Sequence, residues 1–293
     1  MSSAWNWFVV IGALGSLGFF LALLFGNRKT SSDATTGHDF DGIQEYDNPL
    51  PMWWVWMFVL SIVFGLGYLA WYPGLGNFAG AGDWTSATAL QREQAAHDAR
   101  FAPLYAELAA LDESALHQNR QAMQVGRRLF LNNCSTCHGV NGRGASGFPN
   151  LTDDEWIWGA GFANVKTALN QGRQAVMPSW QAALGDDGVQ DVTQHVLALA
   201  GKEHDTAAAA RGATGYQTFC VACHGVEGAG NPMLGAPALN NDIWLYGGTA
   251  EKISETLRVG RNGRMPAFTD ILDADKIHVL SGYVTSLSAP QSE

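Results

Sequence analysis

The feature that most restricts this chain is a Cys-x-x-Cys-His motif that occurs twice, as CSTCH at 134–138 and as CVACH at 220–224. Each copy runs directly into a glycine-rich stretch, and the 293 residues contain no other cysteine. Three kinds of site use such a cysteine pair: a disulfide, part of a zinc site, or the thioether attachment of a c-type haem, which the directly following histidine specifies.

The histidine favours haem attachment in both copies. A tetrahedral zinc ion would need ligands from both motifs, and a thioredoxin-like redox pair would lie near a βαβ pattern, which this sequence lacks. We therefore expect two covalent haem c groups. The predicted attachment residues are Cys134, Cys137, Cys220 and Cys223, and the predicted proximal iron ligands are His138 and His224.

The two motifs belong to a longer internal repeat. The glycines that follow them match at an offset of 86 residues, and after a two-residue insertion in the second copy the offset becomes 88. At this offset Trp156 corresponds to Trp244, Gly172-Arg173 to Gly260-Arg261, and Met177-Pro178 to Met265-Pro266. The pattern predicts a tandem duplication of one haem domain. We expect its loop glycines to let the backbone approach the haem.

The sixth iron position decides what such a haem can do, and methionine is the candidate to fill it. His/Met ligation raises the reduction potential and leaves no position for a substrate. Of seven methionines only Met177 and Met265 lie at equivalent places, whereas Met233 lies at the insertion. The simplest pairing joins each methionine to the histidine 39 or 41 residues before it. An exchanged pairing between the two copies remains open.

Arg173 and Arg261 occupy one repeat position, four residues before the methionines. A partly buried haem propionate needs a positive partner, so we expect these arginines to bind propionates. The alternative is a pair of solvated surface arginines. The other histidines are not expected to be ligands: His195 and His278 lie in the final helices as packing or solvent-facing residues, and His38, His97, His117 and His204 lie in polar segments and are expected to be solvated.

Two uncharged apolar runs, 4–25 and 52–72, are each long enough to cross a hydrocarbon core of ~30 Å. A signal peptide is the weaker interpretation of the first run, because it lacks a basic start and a small-x-small cleavage site. Arg28 and Lys29 lie between the runs, and no basic residue lies between Tyr72 and Arg92. We therefore expect a cytoplasmic loop, with both termini and the haem domains in the periplasm.

The predicted fold class is all-α, with two N-terminal transmembrane helices followed by two tandem class I cytochrome c-like domains. The anchor covers 1–73, a helical linker 74–120, and the haem domains 121–203 and 204–293. Apolar residues recur in the linker at a spacing of about three to four, which predicts an amphipathic helix. They are Leu90, Phe101, Leu104, Leu108 and Leu111.

The loop between the apolar runs reads HDFDGIQEYDNPLP at 38–51, and by composition alone it is an acidic, solvated connector. Together with the anchor, the tandem haem domains and the sequences WIWG at 156 and WLYGG at 244, it resembles the CcoP/FixP family. These are the dihaem subunits of cbb3-type cytochrome c oxidases. The apolar run at 4–25 departs from relatives that have a single anchor.

The resemblance implies an electron-entry subunit in the bacterial inner membrane. Such a subunit accepts electrons from a soluble or membrane-bound cytochrome c. It passes them to a monohaem cytochrome c subunit and a catalytic haem-copper subunit that reduces dioxygen and pumps protons. The chain would be no enzyme by itself, and nucleic acid is not an expected partner. Two alternatives stay open: an anchored dihaem carrier for another dehydrogenase or reductase, and a dihaem peroxidase, which needs one labile iron position.

Overall fold

The computed structural model describes residues 1–27 and 35–288. It falls into two compact units, Met1–Arg100 and Phe101–Glu293. Arg28 and Lys29, on which the predicted orientation rests, lie outside the described residues. The predicted all-α class is confirmed, and the described part of the chain adds two short antiparallel ribbons to the helices.

The first unit contains both apolar runs as helices, α1 at Ser3–Gly26 and α2 at Met52–Trp71, which confirms the predicted limits to within one residue. Within these helices only Leu24, Val55 and Ile62 are buried. A helix that is apolar and exposed on all sides suits a lipid environment, and both are long and apolar enough to cross a membrane.

The loop predicted as a solvated connector contains a β-hairpin. Strand β1, Thr35–Phe40, pairs antiparallel with β2, Ile43–Tyr46, and all side chains of both strands are exposed. Asp41 and Gly42 both have positive φ, which is the conformation of a type I′ turn. The Asp39 carboxylate accepts a hydrogen bond from the Gly42 N–H at 2.7 Å. The Asp-Gly pair is the sequence signal for this turn, and the sequence interpretation missed it.

Helix α3, Ser86–Ala109, begins before the unit boundary and leads into the second unit. The remaining helices are α4 (Glu113–Gln118), α5 (Arg120–Asn133), α6 (Ser135–His138), α7 (Phe162–Gln171), α8 (Gln181–Leu199), α9 (Thr206–Phe219), α10 (Val221–His224), α11 (Ala250–Val259) and α12 (Ala274–Ser288). Strands β3 (Arg173–Met177) and β4 (Arg261–Met265) complete the unit. The order α5-α6-α7-β3-α8 recurs as α9-α10-α11-β4-α12, as the sequence repeat predicts.

The two repeats exchange their last helices. Helix α5 of the first repeat packs against α12 of the second, and α9 of the second packs against α8 of the first. Both crossings use equivalent glycines. A Cβ atom on Gly126 would lie 2.4 Å from the Tyr283 Cβ, and one on Gly212 would lie 2.0 Å from the Asp191 carbonyl oxygen. Only glycine allows helices to approach this closely.

The connection between α8 and α9 favours this exchange. Helix α8 ends at Leu199 and α9 begins at Thr206, so the two form a helical hairpin with a short connection. Packing α8 against α5 instead would require α8 to turn away from the helix that follows it directly. Because α8 packs against α9, it is not available to α5, and α12 covers the equivalent face of α5 instead.

The strands that precede the exchanged helices form one ribbon. Strand β3 pairs antiparallel with β4, so that Arg173 lies opposite Met265 and Met177 lies opposite Arg261. Ala175 and Gly263 are opposite each other at the centre. Interchanging the two repeats reproduces the same register, so the ribbon has a local two-fold symmetry.

Each buried core therefore combines residues of both repeats. The Cys134 core contains Phe130, Cys134 and Val165 of the first repeat, with Ile277 and Leu280 of the second. The Cys220 core joins side chains of α9 and α11, together with Cys220, to the valines of α8: Tyr216, Cys220, Ile253, Leu257, Val189, Val192 and Val196. The contiguous domains predicted at 121–203 and 204–293 therefore do not coincide with the two buried cores. Each core contains the first helices of one repeat and the last helix of the other.

The predicted linker packs against the α5–α12 pair from Phe101 onward. Leu108 and Leu116 are buried with Val279 of α12, and Leu104 and Leu111 of the predicted amphipathic pattern pack on the same cluster, whereas Leu90 of that pattern is exposed. His278 is bonded to the Leu111 carbonyl oxygen at 2.8 Å, which agrees with a packing role. The prediction that His117 is solvated is wrong: its Nε2 lies 3.0 Å from the Gly282 carbonyl oxygen, because α4 lies against α12.

The helix crossing generates the first prediction. Gly212→Ala places a methyl group against the α8 backbone, and overpacking of this kind costs about 1–3 kcal/mol of unfolding free energy. The measurement is urea unfolding of the purified protein followed by far-UV circular dichroism. Ala210→Leu adds more volume at an exposed position of α9 and serves as the control. Equal stability of the parent and Gly212→Ala would contradict the close crossing.

Candidate haem sites

Each Cys-x-x-Cys-His motif lies at the end of a first helix. Helix α5 ends at Asn133 with Cys134 as its C-cap, and the one-turn helix α6 carries Cys137 and His138. Cys134 is buried, whereas Cys137 is exposed, and the second motif repeats this difference at Cys220 and Cys223. All four thiols are free, so neither pair forms a disulfide here. Within 1–27 and 35–288 no group of three or more His, Cys, Asp or Glu side chains has a metal-binding arrangement.

The two histidines are oriented by proline carbonyl groups. His138 Nδ1 lies 2.9 Å from the Pro149 carbonyl oxygen, and His224 Nδ1 lies 2.9 Å from that of Pro237. A carbonyl oxygen only accepts, so Nδ1 carries the proton and Nε2 keeps its lone pair for iron. Burial lowers the pKa of both imidazoles, although each carbonyl bond opposes this shift. Both imidazoles are therefore held in the neutral form that a metal ligand requires.

The glycine loops fold back to present these carbonyl groups. The Gly144 N–H donates to the His138 carbonyl oxygen at 2.8 Å, and Gly144 has a φ of 70°. A Cβ atom there would lie 2.3 Å from the Phe148 carbonyl oxygen, next to Pro149. Gly230 repeats this arrangement in the second loop. These glycines thus allow close contact between backbone segments, and this contact places the proline carbonyl beside the histidine.

The methionines lie at the ends of the ribbon and pack against opposite repeats. Met177 contacts the Cys220 core, and Met265 contacts the Cys134 core. The loops that follow the methionines contact the same cores. The Trp180 N–H donates to the Leu257 carbonyl oxygen of α11, and the Phe268 N–H donates to the Leu169 carbonyl oxygen of α7, each at 2.8 Å. The simplest sequence pairing is therefore not the one that the packing supports, because the ribbon carries each methionine to the other motif.

The rival Met233 does not compete for either core. It lies in the inserted loop with 87% of its surface exposed. Its backbone N–H is bonded to the Asn231 side chain in the same turn. A methionine that ligates iron in a closed haem site is buried, so the exposed Met233 does not have the position of such a ligand.

The arginines lie opposite the methionines and stack on equivalent aromatic rings. Arg173 lies 5.1 Å from the Trp158 ring centre, and Arg261 lies 4.5 Å from that of Tyr246. The Nε atom of Arg173 is buried without a hydrogen-bond partner among the described residues, whereas Arg261 is bonded to neighbours on α11. A buried cationic donor without a partner fits an anionic group such as a haem propionate.

The sequence interpretation missed two contributions to these sites. Pro149 and Pro237 align in the repeat, but nothing in the sequence assigns a role to a backbone carbonyl. Trp158 and Tyr246 also align at an offset of 88 and stand two residues after the repeated tryptophans. Each of them stacks on an arginine 15 residues later in the sequence, a contact that appears only when β3 and β4 are in position.

Two family profiles match this chain. The profile described as the N-terminal domain of cytochrome oxidase-cbb3, FixP, matches residues 32–79. The profile described as cytochrome c oxidase, cbb3-type, subunit III, matches twice, at 121–196 and 207–284. The first match includes the hairpin, and the second covers both repeats.

Similar proteins match over most of their length. A cbb3-type cytochrome c oxidase subunit CcoP of Rubrivivax gelatinosus is 41% identical over 98% of this chain and 96% of its own. A subunit FixP of Azorhizobium caulinodans is 36% identical, covering 88% of this chain and 94% of its own. A subunit CcoP of Cereibacter sphaeroides is 36% identical over 89% and 96%. At 98% coverage the first alignment includes most of helix α1.

Proposed function

Because the chain belongs to the CcoP/FixP family of cbb3-type cytochrome c oxidase subunits, we propose that it transfers electrons to the oxidase through two covalent haem c groups. The duplicated Cys-x-x-Cys-His motif, with each histidine buried and bonded through Nδ1, is the observation that carries this proposal. The role is that of an electron-transfer subunit and not of a catalytic one, since His/Met ligation leaves no iron position for a substrate.

Each residue of the proposed sites has a definite task. The cysteines attach the two haems, through Cys134 and Cys137 in the first site and through Cys220 and Cys223 in the second. Haem c supplies a one-electron Fe(II)/Fe(III) couple when bound. His138 and Met265 would hold the first iron, and His224 and Met177 the second. The surrounding apolar cores exclude water. The exposed Cys137 and Cys223 mark where each porphyrin edge would approach the surface.

The chain is a membrane-anchored subunit of the oxidase complex, and we infer its more specific setting. The haem-binding unit would lie in the periplasm, as Arg28 and Lys29 favour for the loop between the helices. A cytochrome c would donate electrons, and a monohaem cytochrome c subunit and a haem-copper subunit would receive them. Helices α1 and α2 have the length and polarity needed to hold the chain in that assembly.

Purification from bacterial membranes tests this proposal. We expect a C-terminally tagged chain, extracted in mild detergent, to copurify with a haem-copper subunit and a monohaem cytochrome c. Pyridine haemochrome analysis should give two haem c groups per copy of this chain, and one per copy after Cys134→Ala with Cys137→Ala. Copurification with a dehydrogenase instead, or isolation without any haem-copper subunit, would refute the assignment to the oxidase.

The exchange of methionines is testable in single-haem proteins. In the Cys134→Ala, Cys137→Ala protein only the His224 site keeps its haem. There Met177→Ala should abolish the weak near-infrared sulfur-to-iron band and lower the reduction potential, because the thioether that favours ferrous iron is lost. Met265→Ala should keep the band. The reciprocal protein, with Cys220→Ala and Cys223→Ala, should show the opposite dependence.

Met233→Ala is the control for this series, and it should preserve the band in both single-haem proteins because its side chain is exposed. Loss of the band at the His224 site in Met265→Ala, with retention in Met177→Ala, would establish the sequential pairing and contradict the exchange.

Arg173→Gln tests the proposed propionate contact. Neutralising a cation near the first site stabilises ferric iron and should lower the potential of that haem. A unit charge ~10 Å away at an effective dielectric constant near 20 contributes roughly 1–2 kcal/mol, or about 40–90 mV for one electron. The measurement is a spectroelectrochemical titration. Arg211→Gln, on the outer side of α9 and paired with Asp191, is the control and should leave both waves in place. An unchanged potential in Arg173→Gln would exclude the contact.

A further inference from the structure

The two equivalent arginines of the ribbon have different ionic partners. Arg261 Nη1 lies 3.3 Å from Glu255 Oε1, and its Nε and Nη2 donate to Thr256 Oγ1 at 3.0 and 2.8 Å. Arg173 has no carboxylate partner among the described residues; its Nη2 donates to the Asn164 carbonyl oxygen at 3.3 Å. The positive charge is thus partly neutralised in one copy and not in the other.

The sequence repeat explains this difference. At the offset of 88 residues, Glu255 corresponds to Thr167 and Thr256 corresponds to Ala168. The Thr167 hydroxyl donates to the Ala163 carbonyl oxygen in its own helix, at 2.8 Å. Helix α7 therefore offers neither an acid nor a hydroxyl group to Arg173 where α11 offers both to Arg261.

Each arginine belongs to one site. Arg173 lies opposite Met265, which packs on the Cys134 core, and it is bonded to α7, which contributes to that core. Arg261 lies opposite Met177, which packs on the Cys220 core, and it is bonded to α11, which contributes to that one. The partly neutralised Arg261 therefore belongs to the site of His224, and Arg173 belongs to the site of His138.

Lys252 also contacts Glu255, at 2.7 Å, so its charge has to be weighed. Its side chain is 54% exposed, whereas that of Arg261 is 20% exposed. Water screens an exposed charge much more strongly than a partly buried one. Glu255 is itself 43% exposed and has both cations as partners, and because Arg261 is the less exposed of the two, its interaction with Glu255 is the less screened one.

A second difference at equivalent positions acts in the same direction. Arg264 precedes Met265, and Val176 precedes Met177. Arg264 lies on the exposed side of β4. The site of His138 accordingly has a cation in the strand next to its methionine, whereas at the site of His224 that strand position is apolar and the cation Arg258 of α11, paired with Asp186, bonds to the segment after Met177.

We propose that Glu255 tunes the reduction potentials of the two sites, so that the haem of His224 has the lower potential and the haem of His138 the higher. Ferric iron carries one more positive charge than ferrous iron, so a nearby cation favours reduction and a nearby carboxylate favours oxidation. This inference rests on the proposed two-haem function. One electron would leave the His224 site, which is oxidised, and reduce the His138 site, with no bond formed or broken.

The packing of the linker gives this order a direction along the protein. The chain that arrives from the anchor packs on α12, through Leu108, Leu116 and Val279, and α12 forms part of the Cys134 core. The site of higher potential is therefore the one in direct contact with the linker. A cytochrome donor would deliver its electron to the His224 site, and the electron would then move to the His138 site.

The repeat provides a reciprocal experiment on the purified, haem-loaded protein. Glu255→Thr gives the second copy the residue of the first and should raise the potential of the His224 haem. Thr167→Glu gives the first copy the residue of the second and should lower the potential of the His138 haem. The readout is equilibrium redox titration, and the Met177→Ala and Met265→Ala proteins identify the wave of each haem. Glu255→Gln preserves the shape of the side chain, so it tests the charge if Glu255→Thr takes up less haem.

Glu251→Gln is the matched control, since it removes an exposed acid one turn earlier on α11, and it should leave both waves in place. The inference is overturned if Glu255→Gln shifts neither wave, if it shifts the wave of His138, or if Glu251→Gln shifts the His224 wave equally. None of these results affects haem content or copurification with the oxidase, which test the proposed function separately.

Discussion

The antiparallel pairing of β3 with β4 is the interaction on which both proposed haem sites depend. Its ladder holds Met177 and Met265 at opposite ends, each facing the core that contains the other repeat's cysteine motif. The following loops are bonded to α11 and α7, and the last helices then cross α9 and α5 at glycines. If the ribbon separated, each core would lose its methionine and its final helix, and its apolar side chains would be exposed to water.

This dependence makes the two sites one folding unit. A single repeat lacks the final helix that covers its first helix, so it would leave Phe130 or Tyr216 on an open apolar face. Hydrophobic stabilisation scales with the apolar area removed from water, and here that area is removed only when both repeats are in place. The ribbon also links the two proposed sites mechanically, because a shift of one strand moves the arginine of one site and the methionine of the other.

The sequence predicted the helices and the positions of the motifs in the repeats, and it did not predict how the two repeats pack together. Helix limits, the cysteine motifs and the position of the methionines follow from hydrophobic runs and from the repeat, which are local signals. The exchange does not, because α8 and α12 offer apolar positions at the same spacing, with Val196 and Leu199 matching Val284 and Leu287. Only the short connection from Leu199 to Thr206 favours one arrangement. The hairpin at Asp41-Gly42 was missed for another reason, since its strands are exposed and lack the apolar alternation that marks a strand.

The two repeats differ in the contacts that α11 and α7 make with the segments after the methionines. Arg258 of α11 donates to Gln181 at 2.9 Å and also bonds to Asp186, both in the segment that follows Met177. Its counterpart Asn170 donates to the Lys166 carbonyl oxygen within its own helix and leaves the segment after Met265 with fewer ties. Glu255 lies on the same helix, three residues earlier. Through Arg258 helix α11 anchors the segment after Met177, and through Glu255 it places a carboxylate beside Arg261, whereas α7 does neither in the other repeat. A backbone with two-fold symmetry thus carries two different sets of polar contacts, and this difference is the physical basis of the unequal potentials that we propose.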